Sequence, residues 1–173
     1  MKILLLLKKI YAKYKGGAYL VKYLQDRGMS IGSNCRIFSD ISTSESYLVR
    51  IGSRVTISND VQLITHDACI QKAIDGVTDV FGKITIGDDC FIGARSIIMY
   101  GVTLADNTIV AAGSVVTKSV AEKGKIIGGN PAKVIGDVSD FAAKYKDYAV
   151  NISGLAENEK RALIEKEDKL VRR

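Results

Sequence analysis

At 173 residues, 47% of them apolar, the chain is long enough for one domain with a sizeable core and an appendage, and too short to add a large second α/β domain. Its net charge of +6 is confined to the N-terminal end: residues 1–30 hold Lys2, Lys8, Lys9, Lys13, Lys15, Lys22 and Arg27 against Asp26 alone, so residues 31–173 are neutral. No run approaches the ~20 apolar residues that span a bilayer, and Lys8–Lys9 close the opening apolar run too early for a signal peptide, so a cytoplasmic location is expected.

Residues 1–30 read as one or two amphipathic helices. Leu4, Leu7, Ile10, Tyr11 and Tyr14 follow helical spacing, and Gly16–Gly17 breaks the pattern. Two uses stay open for this basic segment. One is to cap the open end of a repeat that starts at Ile31. The other is peripheral contact with an anionic membrane surface. The basic residues form no recognised nucleic-acid motif, so no nucleic-acid partner is expected.

The repeat is a six-residue beat that begins at Ile31 and Ile37 and resumes at Ile51, Ile57 and Leu63. It then runs without a miss through Ile86, Ile92, Ile98, Leu104, Val110 and Val116. Four places after these last six stand Cys90, Ser96, Val102, Thr108, Ser114 and Val120, all small. That period is neither helical nor simply alternating. It predicts a solenoid whose short strands end at corners, with the large residue inside and the small one where the chain turns. If three beats close one turn, residues eighteen apart stack, placing Ile86 on Leu104, Ile92 on Val110 and Ile98 on Val116. The register slips twice, predicting excursion loops at about 43–50 and 67–85. The second begins just after His66, the only histidine of the chain. Long departures from a regular solenoid are usually functional or disordered.

Gly128-Gly129-Asn130-Pro131 is a turn that ends the solenoid. Beyond it, Phe141–Val150 and Ala156–Val171 are expected to be helical, the second supported by pairs such as Glu157 with Arg161 and Glu165 with Lys169. The expected organisation is therefore a basic helical segment over 1–30, a repeat over 31–137 and a helical extension over 138–173. Three cysteines are an odd number, and Cys35 and Cys90 occupy small-residue places, so reduced thiols are expected rather than a disulfide or metal site. Nothing near Cys69 in sequence would activate a thiolate.

The run from Ile86 to Ala94 (IGDDCFIGA) and the run from Ile109 to Lys118 (IVAAGSVVTK) resemble the hexapeptide-repeat acyltransferases, and Gly129 to Ile135 (GNPAKVI) is similar to that family's closing signature. The likeness covers roughly residues 30–137 and points to the branch of galactoside and maltose acetyltransferases and polysaccharide O-acetyltransferases. It implies a mainly β fold, a left-handed parallel β-helix with N-terminal and C-terminal helices, assembled as a homotrimer with active sites between subunits. The left hand comes from the resemblance alone, since parallel crossovers are otherwise right-handed in ~98% of cases.

The resemblance also implies acetyl transfer from acetyl-CoA to a hydroxyl of a sugar or glycan, of capsule or lipopolysaccharide type. That reaction needs a base, an oxyanion donor and a surface for the carrier. His66 is the candidate base, because an imidazole accepts a proton near neutrality and similar enzymes place theirs just before an extended loop. Ala94 matches the position whose amide faces the thioester, Ala112 and Gly113 those lining the pantetheine arm, and Thr117, Lys118 and Lys133 those near the nucleotide end. Lys133 stands where arginine is common, which removes a bidentate phosphate contact. Asp40 matches an acceptor-binding position. Asp67 has three readings, to orient the base, bind the acceptor or start the loop as a turn former. No metal is expected.

Acetylation of a nucleotide-linked amino sugar nitrogen remains the alternative within enzymes, since one base serves either nucleophile. A solenoid that binds without turnover is the alternative of another class. A γ-type carbonic anhydrase is set aside because it needs three zinc-binding histidines.

Overall fold

Each repeat supplies one large branched side chain and then a residue small enough to turn. The chain therefore makes strands of two or three residues whose single inward side chain fills an interior. In the computed structural model, which describes Leu7, residues 17–166 and residues 169–171, these strands coil into a left-handed parallel β-helix of triangular section. The first face stacks Ser30–Ile31, Val49–Ile51, Ile84–Ile86 and Thr103–Leu104. The second stacks Arg36–Ile37, Thr56–Ile57, Phe91–Ile92 and Ile109–Val110. The third is built from Gln62–Leu63, Ile97–Ile98 and Val115–Val116.

The ladders expected from the eighteen-residue repeat are present. Ile86 pairs with Leu104, Ile92 with Val110 and Ile98 with Val116, all essentially buried. The small-residue row fills the corners. Ser96, Thr108 and Ser114 are fully buried there, and each donates its hydroxyl to a backbone carbonyl: Ser96 and Ser114 to Ala111 at 3.1 and 2.6 Å, Thr108 to Ala105 at 2.7 Å. A buried hydroxyl without a partner would be costly, so these bonds let serine and threonine stand in a core.

Both excursions are shorter than the sequence predicts. Val49–Ile51 and Ile84–Ile86 are strands of the first face, so the loops span 43–48 and 66–82. In the first coil Ile31 pairs with Ile51, twenty residues on. Most of that excursion thus forms the third side of the coil, with two residues to spare. Its inner surface is polar rather than aliphatic, carrying buried Thr43 and Ser46. In the second coil Ile51 pairs with Ile86, thirty-five residues on. The surplus leaves the solenoid as a hairpin in which His66–Asp67 runs antiparallel to Val80–Phe81, with a 3₁₀ turn over Ala68–Lys72 beyond.

The closing turn is also narrower than expected. Lys125–Gly129 continues the second face, and only Asn130–Pro131 turns the chain into the antiparallel strand Ala132–Asp137. At the other end the helix Gly17–Asp26 buries Leu20 and Leu24 against the first coil, and Gln25 donates to the Ile31 carbonyl at 2.9 Å. This packing covers the end of the first coil, as the capping use of the N-terminal segment requires. The helical pattern over Leu4–Tyr14 lies outside the described residues except for Leu7. No described helix is long and apolar enough to cross a membrane.

Residues 139–173 form a separate unit. Its helices, Val138–Tyr145 and Glu157–Ile164, are shorter than predicted, and neither buries a residue. The charge pairing differs too: Glu157 meets Lys160 at 3.5 Å and Arg161 meets Glu165 at 2.7 Å, while Lys169 donates to the Asp147 carbonyl at 2.8 Å.

Candidate functional site

The strand Gln62–Leu63 ends at the corner between the third and first faces. Ile64, Thr65 and His66 turn that corner, above Met99–Gly101 and Thr117–Ser119 of the next coils, as the bonds from Ile64 N to Ile98 O and from Met99 N to Val116 O fix. His66 then enters the hairpin instead of continuing the coil. Its register partner is Phe81, whose ring centroid lies 5.8 Å from the imidazole.

The first excursion reaches the same corner from the coil below. Glu45 Oε2 lies 2.7 Å from His66 Nδ1 and accepts the Thr65 hydroxyl at 2.8 Å. The Thr65 hydroxyl is in turn hydrogen-bonded to that of Thr43, both side chains being buried. The Glu45 side chain is 14% exposed and that of His66 41%, so the carboxylate is covered while the imidazole still faces solvent. The Thr65 hydroxyl, followed by the His66 contacts, holds the Glu45 carboxyl below the usual carboxylate range. The excursion is pinned from behind, because the Thr43 carbonyl accepts both Ser46 Oγ at 3.1 Å and the Arg27 guanidinium at 3.3 Å.

Glu45 was not legible as a site residue. It lies in the register slip, outside the repeat and twenty-one positions from His66. The only signal was that slip, since a coil with two extra residues must place them somewhere.

The other expected residues fall at three places. Ala94, Ala112 and Gly113 share the corner between the second and third faces, where Gly113 N donates to Ala94 O at 2.8 Å. Ala112 and Gly113 are exposed and Ala94 is half-buried. Gly113 has a φ of +72°, and a Cβ there would meet open space, so its glycine is demanded by the turn rather than by crowding. The crowded glycine is Gly93, whose Cβ would lie 2.5 Å from Ala112 N. Thr117 and Lys118 are exposed on the His66 corner two coils further along, and Lys133 is exposed on the closing strand. A hollow of about 350 Å³ is lined by the residues that follow Lys118, namely Ser119, Val120, Ala121 and Glu122, together with Lys125 and Val134. Within one chain, therefore, His66 and Ala94 stand on different corners of the triangle.

Asp40 is exposed at a groove of about 230 Å³ whose lining includes Ser42, Gln62 and Ile64. Of the three readings of Asp67, its bonds satisfy the turn former: Oδ1 accepts Cys69 N at 2.8 Å and caps the 3₁₀ turn. That backbone N–H is also the main cause of its lowered pKa. Cys69 is exposed, and the neighbouring Asp67 carboxylate pushes its thiol up, away from nucleophilic character. All three cysteines are free.

The chain is similar in sequence and fold to several known proteins. A family profile described as the hexapeptide repeat of succinyl-transferase matches residues 83–118. Protein CapG of Staphylococcus aureus is 40% identical over 161 residues, covering 90% of this chain and 92% of its own length. Galactoside O-acetyltransferase of Escherichia coli is 29% identical over 154 residues, covering 86% and 75%. Among solved structures, a hexapeptide-repeat acetyltransferase of Vibrio cholerae complexed with acetyl coenzyme A superposes with a TM-score of 0.57 at 22% identity, covering 78% of this chain and 87% of that one, which shows a shared fold.

Proposed function

The chain belongs to the hexapeptide-repeat acetyltransferase family and is an acyltransferase, and from that premise we propose that it transfers the acetyl group of acetyl-CoA to a hydroxyl of a sugar or glycan, with His66 as the general base. The observation that carries this reading is the setting of His66. The only histidine of the chain is half-exposed where the hairpin of His66–Asp67 with Val80–Phe81 leaves the solenoid, with one ring nitrogen held by Glu45 at 2.7 Å. A buried structural histidine would have both nitrogens engaged and no reason to stand where two excursions meet.

In the proposed reaction His66 takes the proton of the acceptor hydroxyl as its oxygen attacks the thioester carbonyl carbon. The oxyanion is stabilised by the amide of Ala94. As the carbon–sulfur bond breaks, His66 returns the proton to the departing thiolate, so the base is regenerated. The open ledge of Ala112 and Gly113 suits a pantetheine arm, and the exposed Thr117, Lys118 and Lys133 suit a phosphate-bearing nucleotide end. Because His66 and Ala94 occupy different corners, the reaction also calls for a homotrimer in which one subunit brings its His66 to the Ala94 corner of the next. Asp40, at its groove beside Ser42 and Gln62, suits the hydroxyls of an acceptor. A glycan precursor of capsule or lipopolysaccharide type, handled at the cytoplasmic face of the membrane, fits the basic N-terminal segment.

The test is release of free thiol from acetyl-CoA against a panel of sugars, nucleotide-linked sugars and short glycans, in paired hydroxyl and amino versions. Turnover with hydroxyl acceptors supports the reading. Turnover with amino acceptors alone replaces it with N-acetylation.

A further inference from the structure

We propose that Glu45 is a positioning residue that fixes the tautomer of His66, and that Thr65 and Thr43 complete a one-way chain of hydrogen bonds behind it. The inference rests on His66 being the base and says which of its nitrogens does the work.

Counting protons assigns each bond its direction. A carboxylate held low in pKa accepts only, so its 2.7 Å contact with His66 Nδ1 requires a proton on Nδ1. The neutral ring then carries its lone pair on Nε2, the nitrogen directed away from Glu45, which is free to accept a proton from the acceptor hydroxyl. The same Glu45 oxygen accepts the Thr65 hydroxyl at 2.8 Å, which uses that hydroxyl's single proton. The bond between Thr65 and Thr43 must then be donated by Thr43. Each bond in this network has one direction: Thr43 donates to Thr65 and Thr65 to Glu45, while His66 donates to Glu45 from the other side.

Burial keeps water out of the network. Thr65 is 1% exposed and Thr43 8% exposed, so neither hydroxyl has water as a ready substitute. Thr43 and Glu45 come from the first excursion, Thr65 and His66 from the start of the second. The two surplus residues of the first coil, which the repeat does not require, thus bring a carboxylate beneath the base. A neutral imidazole whose tautomer is set by a carboxylate on its other nitrogen is a general device for a base that must accept on a chosen face.

With a single histidine in the chain, the imidazole nitrogens can be read without assignment ambiguity by ¹⁵N NMR on the whole protein, whatever the acceptor proves to be. At a pH where His66 is neutral, the wild type should show the Nδ1–H form. Glu45→Gln and Glu45→Ala should move it toward the Nε2–H form that free imidazole prefers. Thr65→Val should move it part of the way, and Thr65→Ser should restore it. Once an acceptor is in hand, Glu45→Ala should lower kcat by ~10-fold or more with the KM for acetyl-CoA unchanged, the scale of impaired general-base catalysis. An Nε2–H form in the wild type would overturn the proposal even if Glu45→Ala fails to fold. So would a tautomer shift in Glu45→Gln with no change in kcat. Absence of turnover in the wild type would count against the acetyltransferase reading and leave the NMR result to stand by itself.

Discussion

Gly93 and Gly87 lie on the same coil and stack on the same neighbouring coil, but at different corners. A methyl group on Gly93 would come within 2.5 Å of Ala112 N and 2.6 Å of Val110 O; on Gly87 it would come within 2.7 Å of Asp106 N and 2.9 Å of Ala105 C. Neither backbone can yield without disturbing a coil-to-coil bond, Gly93 N to Val110 O at 2.8 Å or Gly87 N to Leu104 O at 2.9 Å. Alanine at either position must therefore push two coils apart by several tenths of an ångström. Overpacking of this kind costs about 1–3 kcal/mol. At roughly 2–4 °C per kcal/mol for a chain of this size, Tm should fall by about 2–12 °C in both variants. Only Gly93 adjoins Ala94 and Ala112, so only Gly93→Ala should also raise the KM for acetyl-CoA. Thermal melts and steady-state kinetics on the two variants read both quantities. Equal rises in KM, or a Gly93→Ala variant with unchanged Tm and KM, would refute the placement of the carrier on that corner.

Packing and charge give two more expected outcomes. Leu24 is fully buried where the N-terminal helix covers the first coil, so Leu24→Ala should cost about 2–5 kcal/mol in denaturant unfolding; a loss under ~0.5 kcal/mol would mean the helix does not cap the solenoid. The Lys123 ammonium, and then the Asp88 N–H, hold the Asp106 carboxyl below its usual range. Because its folded pKa is depressed, its stabilisation is present above the unfolded value near 3.8 and is lost as pH falls through the lower folded value. Asp106→Asn should therefore lower Tm at pH 7, with the gap from the wild type closing as the pH falls below about 4, and a gap that stays constant through the acid range would contradict the assignment.

The solenoid was readable because its interior imposes the same demand at every sixth residue. Ile86 to Val116 satisfy that demand without a miss, and the vertical pairs came from three faces per turn. The excursions were readable only as slips. Counting residues located them, but nothing in the local pattern shows that Val49 and Ile84 already belong to strands or that Phe81 returns beside His66. Glu45 was hidden for the same reason: its contact is made across a coil boundary by a segment with no period. Asp67 was ambiguous because one carboxylate suits several partners, and its bond to the Cys69 amide becomes visible only once the turn is built. The last helix was overextended because paired charges continue the helical spacing past the last turn that forms, and the helix before it starts at Val138, three residues ahead of the expected Phe141.

The role of His66 as the proton carrier in acetyl transfer is tested most directly by thiol release from acetyl-CoA, measured for the wild type and for His66→Ala with an acceptor that the wild type turns over. The His66→Ala variant should keep the wild-type melting profile and acetyl-CoA binding but show a kcat lower by ~10² or more, the scale of a lost general base. Turnover at the wild-type rate in that variant would contradict the role.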